Sequence, residues 1–492
     1  MVVLGIAGFF LNQGGNETSA PTPTATTQRA PAEANGSHRI ALLPFEVNAA
    51  KEEDKWVGGG MDNELRTALN KIEGVTIIAG LSVNTYRGAN RDISKIKNDL
   101  NVDYILAGSI TVTGGKTSLL LDFIKSDDLS SVWSETIQAT PASIFDSKKQ
   151  IATKLAGSLD IELGAKTSED IGAKHTENAE AFRLYTQGRE LWMTRSQVGM
   201  QQSIKLYEQA IALDDNFALA FSGIADAYSM LVVYGYLDRD EGYPTARKYV
   251  LDAITRNPNL AEAYVSLGWI QFSYEWKYAD SEKSYRKAIS LNPKIAQAYQ
   301  WLGICLEAQD RLEEADEIFL KSEELDPNHP VLMMNMTMAY AKLGRFDDAE
   351  RCAKKGITLN PSFFQLRYQL YTAYVLAGNK ETEINAMVQE IESIGNKTRP
   401  IYDILVHYYK DRDSAKSNSY YELAEELDKL TGNSGFQPRI ILKVEFDKFI
   451  ELATEAFENG NAENNLEYNF FCSEHRDHPK MKALAARIKK GK

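Results

Sequence analysis

Residues 296–329 read AQAYQWLGICLEAQDRLEEADEIFLKSEELDPNH, and this stretch decides the fold. Tyr299, Leu302, Gly303 and Leu306 recur at spacings of three and four, which places them on one face of a helix. Ala315, Phe319 and Ser322 repeat that pattern in a second helix. Asp326-Pro327 ends it, because proline offers no N–H and pushes the residue before it out of the helical region. Gly303 and Ala315 are small enough to let the two helices approach closely, and Tyr299 and Phe319 are large enough to fill the space between successive pairs. An Asn-Pro or Asp-Pro string, or its equivalent, recurs at Pro258, Pro293, Pro327 and Pro361, with gaps of 35, 34 and 34 residues.

The same register extends outward in both directions. Residues 330–363 carry Tyr340, Ala349, Gly356 and Pro361; residues 261–295 carry Tyr264, Leu267, Gly268, Tyr285, Ala288 and Pro293. The unit at 218–260 keeps Ile224, Ala225, Tyr228, Ala246 and Ala253 but has an insertion between its helices, and the unit near 181–216 keeps Gly188, Tyr207, Ala210 and Leu213. A degenerate copy follows from Phe364. A helix–turn–helix period of 34 is the signature of tetratricopeptide (TPR) repeats. One such pair cannot bury its apolar face alone, so the units stack into an all-α solenoid over 176–395. Most of its aromatic and methionine side chains are therefore expected in the core.

Residues 38–165 have a different grammar. Arg39–Phe45, Val75–Ala79, Tyr104–Val112, Thr117–Ile124 and Val132–Ile137 read as strands, and Asp62–Ile72, Ile93–Leu100 and Ile144–Leu159 as helices. Strands alternating with helices and then a meander predict an α/β domain, a mixed sheet covered by helices. Gly114-Gly115-Lys116-Thr117 imitates the end of a phosphate-binding loop, but Ile110 stands where that pattern needs glycine, and the loop joins two strands rather than a strand and a helix. It reads as a hairpin turn. Gly58-Gly59-Gly60 reads as a tight connection leading from a strand into the helix opened by Asp62.

The ends are unlike either region. Val2–Leu11 is uncharged and apolar but too short to cross a bilayer, so residues 1–12 are expected to be a partial membrane helix or anchor, or else a weak signal-peptide core. Residues 13–37, rich in Pro, Thr, Ala and Gly, read as a disordered linker. Residues 396–492 read as a degenerate repeat and a C-terminal helical cap. The chain of 492 residues carries a net charge of −13, most of it in residues 163–492, which argues against a nucleic-acid-coating role. Cys305, Cys352 and Cys472 are isolated, so neither a disulfide framework nor a cysteine zinc site is expected. His475 and His478 lack a third ligand, and the acidic clusters at Glu52–Asp54 and Asp238–Glu241 read as solvated loops.

IALLPF (40–45), GMDNELRTAL (60–69), VDYILAGSI (102–110), VWSE (132–135) and IFDSKKQIATKL (144–155) resemble the TolB-type amino-terminal domain of bacterial signalling proteins. AEAFRLYTQGRELW (179–192), YEWKYADSEKSYRKAISLNP (274–293) and AYQWLG (298–303) are similar to the TPR array that follows that domain in the same proteins. In such proteins an effector usually precedes a membrane helix: a winged-helix DNA-binding domain in CadC-like regulators, a Ser/Thr kinase or an adenylate cyclase. The resemblance thus implies a non-catalytic, membrane-tethered sensor or scaffold whose folded part is periplasmic, or cytoplasmic if Met1 is a true start and the apolar stretch does not insert. The alternative is the C-terminal fragment of a regulator, kinase or cyclase whose effector lies outside this chain. No catalytic, cofactor-binding or metal-binding residue is assigned, since G-x-S-x-G, H-E-x-x-H and a complete phosphate-binding loop are all missing from the sequence. The expected partner is a protein or peptide held on the first helices of the repeats, against Tyr185, Arg189, Trp192, Asp226, Trp269, Phe272, Gln297, Gln300, Glu307, Met334, Met338, Lys342 and Tyr368. This surface is aromatic and amide-rich, without the Lys/Asn ladder that chaperone-binding TPRs use to hold acidic C-termini.

Overall fold

The computed structural model describes residues 37–377, apart from 52–53, 87–91 and 142, and a few positions from 380 to 390. The C-terminal helices, His475, His478, Cys472 and the apolar stretch 2–11 all lie outside the described residues. The chain divides into two compact units, one of residues 33–339 with 358–361, the other containing 340–357 and the described residues from 362 onward.

In the first unit, β1 (His38–Leu42), β2 (Glu46–Ala49), β3 (Val75–Ile77), β4 (Tyr104–Thr113), β5 (Lys116–Lys125) and β6 (Ser131–Ala139) form one mixed sheet. Its order is β3-β1-β4-β5-β6, with β2 also on β4. Sequence patterning predicts one strand over 39–45, and the structure makes two. Pro44 cannot donate a ladder hydrogen bond, so pairing stops at Leu42 and resumes at Glu46. The long β4 accepts both pieces in parallel, β1 against Tyr104–Leu106 and β2 against Ser109–Val112. Gly114 and Gly115, with φ of 59° and 74°, make the hairpin between β4 and β5.

Helices α1 (Trp56–Leu69) and α4 (Lys148–Ser158) cover one sheet face. Their apolar residues join Ile40, Leu42, Leu106, Leu119, Leu121 and Phe123 in a core. Alternate strand residues (Ala41, Leu43 and Ile105) meet a smaller core on the other face, under α2 (Gly80–Val83) and α3 (Ile93–Leu100). Helix α1 begins at Trp56, so Gly58, Gly59 and Gly60 lie inside it rather than in a connection before Asp62. Glycine is a poor helix former. Here it is required by space: a Cβ at Gly58 would collide with Val47, and one at Gly60 would come within 2.9 Å of Phe145 and 3.2 Å of Thr186. Helix α5 (Ala165–Gly172) leads out of the domain.

The repeats follow as antiparallel pairs: α6 (Ala179–Met193) with α7 (Gln197–Leu213), α8 (Ala218–Val233) with α9 (Arg239–Arg256), α10 (Ala261–Ser273) with α11 (Tyr278–Leu291), and α12 (Ala296–Glu307) with α13 (Leu312–Leu325). Helices α14 (Pro330–Lys342), α15 (Phe346–Leu359) and α16 (Phe364–Ala377) follow in the chain. In each of three pairs an aromatic ring of the second helix lies over a glycine of the first: Tyr207 over Gly188, Tyr285 over Gly268, and Phe319 over Gly303. The turn inside each pair passes through one left-handed residue. These residues are Arg195, Gly235, Trp276 and Asp310, and Gly344 stands likewise between α14 and α15, with φ between 50° and 71°. In the second unit, Lys380 lies 3.4 Å from Glu350 and Arg367 2.8 Å from Glu390.

A methyl group at Gly303 has nowhere to go but into the Phe319 ring. Gly303→Ala is therefore expected to lower the unfolding free energy by about 1–3 kcal/mol through overpacking. Urea denaturation of the full chain measures it, and an unchanged midpoint would show that the pair relaxes freely.

Candidate functional site

The first helices α6, α8, α10 and α12 lie side by side, and the residues expected to form a groove fall on them unequally. Tyr185 is core: its ring packs against those of Phe182, Tyr207 and Phe217 at 6.5, 5.6 and 5.2 Å. Met334 and Met338 are buried as well. Gln297 is exposed and Glu307 half-buried. Lys342 and Tyr368 belong to the second unit, and the Tyr368 side chain lies outside what is described.

The other residues make two patches. Arg189 and Arg195 place their guanidinium groups 4.7 and 3.6 Å from the ring of Trp192. On the next first helix, Asp226 accepts a hydrogen bond from Ser266 Oγ of α10 at 2.5 Å. Burial raises the Asp226 carboxyl above its ordinary range, opposed by that hydrogen bond and by the two arginines. Further along, Trp269 packs on Trp301 at 4.5 Å and near Phe272 at 6.2 Å, and Phe272 meets Tyr278 edge-on at 5.3 Å. Gln300 is only 4% exposed, and its Nε2 has no hydrogen-bond partner. Nor has Trp192 Nε1. Arrays of flat aromatic faces with buried donors suit extended peptides, whose carbonyls supply acceptors.

Sequence reasoning missed Arg195, Ser266 and Trp301. Ser266 and Trp301 occupy the same slot in successive repeats, one step from the positions assigned to the groove. Arg195 stands in the intra-pair turn, where Gly235 and Gly344 stand in other repeats. An arginine in a glycine slot was the available signal.

The α/β domain meets α6 along much of its length and meets the turns that precede α12 and α14. Phe145 meets Phe182 of α6 edge-on at 4.8 Å, and the α1 glycines face Thr186 and Glu190. Lys294, just before α12, donates to the carbonyl of Ile72 at 2.7 Å and also to that of Val75. Just before α14, the Leu325 carbonyl accepts from the Ala79 N–H at 2.9 Å, Ser82 donates to Asp326, and Ser82 Oγ accepts from the Asn328 N–H at 2.8 Å. The turns that set the repeat period are thus also the clasps that hold the domain. Nearby, Lys148 Nζ lies 2.6 Å from Glu64, both nearly inaccessible, and donates to the Ala173 carbonyl at 2.7 Å; His175 Nε2 lies 3.8 Å from Glu64. Among the described residues there is no cluster of three or more metal-ligating side chains, and no helix is long and apolar enough to cross a membrane.

Comparisons with known proteins find matches in both regions, and the match in the α/β region is to a different family model from the expected TolB-type domain. Residues 36–154 match the family model "HilA/YgeH-like transcriptional regulator, second domain". Residues 261–295, 284–317 and 332–363 match tetratricopeptide repeats. The α/β region and the repeat solenoid thus each have relatives among known modules. A putative adenylate cyclase 3 of Rhizobium meliloti (strain 1021) is 23% identical over 186 residues, 38% of this chain; the aligned stretch spans 32% of that relative's length. Among solved structures, the thermophilic TPR protein TTC0263 of Thermus thermophilus covers 40% of this chain and 99% of its own at 15% identity, with a TM-score of 0.33. YrrB, described as a TPR protein with an unusual peptide-binding site, covers 42% and 97% at 20% identity, with a TM-score of 0.28.

Two outcomes follow from the clasp. Lys148→Met strands a buried carboxylate and should cost about 3–5 kcal/mol, while Glu64→Leu with Lys148→Met should recover most of that loss. Chemical denaturation of the three proteins measures the difference, and equal losses in the single and double variants would contradict it. His329 caps α14 by accepting the Leu332 N–H on Nδ1 at 3.0 Å, and burial, opposed by Asp326, holds its pKa below 6.5. A depressed histidine pKa contributes stability that is complete above the unfolded value of 6.5 and is lost as pH falls through the lower folded value. The wild-type urea midpoint should therefore drop between about pH 7 and about pH 5. His329→Asn, which keeps an acceptor without the titration, should flatten that drop. Some slope should remain from His175, which burial shifts the same way. An equally steep fall in His329→Asn would remove His329 as its source.

Proposed function

We propose that this chain is a non-catalytic protein-binding scaffold that holds an extended peptide of a partner across the first helices of its repeats. The observation that carries the reading is the row Trp192, Asp226, Trp269, Trp301 and Gln300, in which flat aromatic faces lie among polar groups and three buried donors (Trp192 Nε1, Trp269 Nε1 and Gln300 Nε2) lack partners. Repeats of this kind typically bind proteins rather than catalyse reactions. The residues proposed to touch the partner are Arg189, Trp192, Asp226, Trp269, Phe272 and Gln300, with Gln297 and Glu307 at the margin. Tyr185, Met334 and Met338 stabilise the wall from behind. The TolB-type resemblance and the apolar stretch 2–11 support placing this scaffold outside the cytoplasmic membrane, tethered to it and serving as the sensory part of a signalling protein.

A second reading is favoured by the match of residues 36–154 to a transcriptional regulator's second domain and by the similarity to a putative adenylate cyclase. On that reading the same scaffold is the carboxy-terminal half of a protein whose effector is a DNA-binding domain, kinase or cyclase. Sequencing the genomic frame upstream of residue 1 tests it: an in-frame effector supports it and an adjacent stop codon removes it.

The groove itself is tested by selecting binders to the immobilised full chain from a displayed library of extended peptides. Trp269→Phe combined with Gln300→Ala should weaken the selected peptides about tenfold or more, with unchanged helical circular dichroism. Undiminished binding would place the site elsewhere.

A further inference from the structure

Among the described residues, the turn inside each of the four helix pairs passes through the left-handed region, as does Gly344 between α14 and α15, and in two of these five the residue is glycine. Arg195 takes this conformation with a bulky side chain, at a cost of roughly 1–2 kcal/mol that glycine would avoid. A strained residue kept in place of an unstrained one directs attention to its side chain. The Arg195 guanidinium stacks 3.6 Å from the Trp192 ring and Arg189 lies 4.7 Å from it, so two cations flank one indole. Among the described residues, neither guanidinium has an ion pair or hydrogen bond. Arg195 Nη1 and Trp192 Nε1 are both buried without a partner, and Trp192 is only 9% exposed.

The nearest opposite charges are Asp226 and Glu262. Asp226 is engaged by Ser266, and Glu262 lies in the first turn of α10, where it also acts on Lys71 of the α/β domain. Neither carboxylate comes within ion-pair distance of the arginines. Unpartnered guanidinium groups in a half-buried setting are built for a bidentate acceptor. Asp226 on the facing helix limits how much negative charge the place tolerates, which favours a single charge over a doubly charged phosphate.

We infer that Arg189, Arg195 and Trp192 form an acidic-residue subsite at the first-repeat end of the groove, one that takes the carboxylate of a Glu or Asp side chain in the bound peptide. The inference rests on the peptide-binding reading above and adds the chemistry that one end of the peptide must carry. In this arrangement the carboxylate accepts from both guanidinium groups and from the Trp192 N–H, while the neighbouring peptide residue lies toward Trp269 and Trp301.

The test uses three fluorescein-labelled peptide pools of Leu, Phe, Ser and Tyr that differ only at a central position, which holds Glu, Gln or phosphoserine. Fluorescence anisotropy with the full chain should show the Glu pool binding about tenfold tighter than the Gln pool, the scale of a charge-assisted hydrogen-bonded contact. Arg189→Gln with Arg195→Gln should abolish that preference, so that the Glu and Gln pools bind alike. Arg195→Gly, which relieves the strained turn and so guards against misfolding, should reduce the preference while retaining the wild-type melting temperature or raising it. Equal binding of the Glu and Gln pools to the wild type would overturn the subsite and leave the groove standing. A Glu preference that survives both arginine substitutions would also overturn it, as would tighter binding of phosphoserine than of Glu. Binding of no pool at all would overturn the groove reading and the subsite with it.

Discussion

The structure depends on one packing constraint: within a helix pair, an aromatic ring on the second helix must lie against a residue on the first that has no side chain. Tyr207 against Gly188, Tyr285 against Gly268 and Phe319 against Gly303 are three instances. Burying a ring of that size contributes a few kcal/mol, but only if the helices approach closely enough to leave no void. Close approach fixes the crossing of the pair, and the crossing fixes where the next pair can stack. The 34-residue period is the consequence. So is the row of first helices that carries Arg189, Asp226, Trp269 and Gln300.

The same device operates once more, outside the repeats. Glycines at the start of α1 bring the α/β domain against α6, where the Cβ of an alanine at Gly60 would strike Phe145 and Thr186. The domain is also held by the turns at Lys294 and Asp326–Asn328. The turn at Asp326–Asn328 is buried, whereas Pro258 and Asn259, at the corresponding turn two repeats earlier, are exposed. Identical signals in the sequence thus serve two ends: every one stops a helix, and some also grip a neighbouring domain. On α6 the domain reaches past the leading end, with Gly60 facing Thr186 and Gly59 facing Glu190.

How much of this was legible depended on the range of the interaction. The repeats could be read because their information is local and redundant: helical spacing, small residue, ring and proline recur several times. The hairpin at Gly114-Gly115 could be read for the same reason. The break at Pro44 was visible, but its result was not, because whether a second strand forms depends on β4 being long enough to accept two partners. The glycines of α1 were misplaced since their reason lies in Val47, Phe145 and Thr186, all distant or on other elements. Of the expected groove residues, Tyr185 sits among rings that only the fold assembles, and periodicity alone cannot separate the front of a helical face from its flank.

Arg195 shows why functional residues escape patterns that find structural ones. Patterns find residues that agree with the local rule, and Arg195 breaks it: at that turn the backbone favours glycine. Trp276 breaks the same rule in the third pair, and there too an arginine, Arg239, lies over the ring, at 5.6 Å. Asp310 departs as well, without a cation beside an indole, and Arg239 also donates to the Ser273 carbonyl at 2.7 Å. Local backbone preference therefore argues against the side chains of Arg195 and Trp276, and the cation–ring contacts they make within the chain argue for them. Where local preference and observed residue disagree, the reason lies in contacts that the local pattern does not encode, as the Trp192 ring beside Arg195 shows.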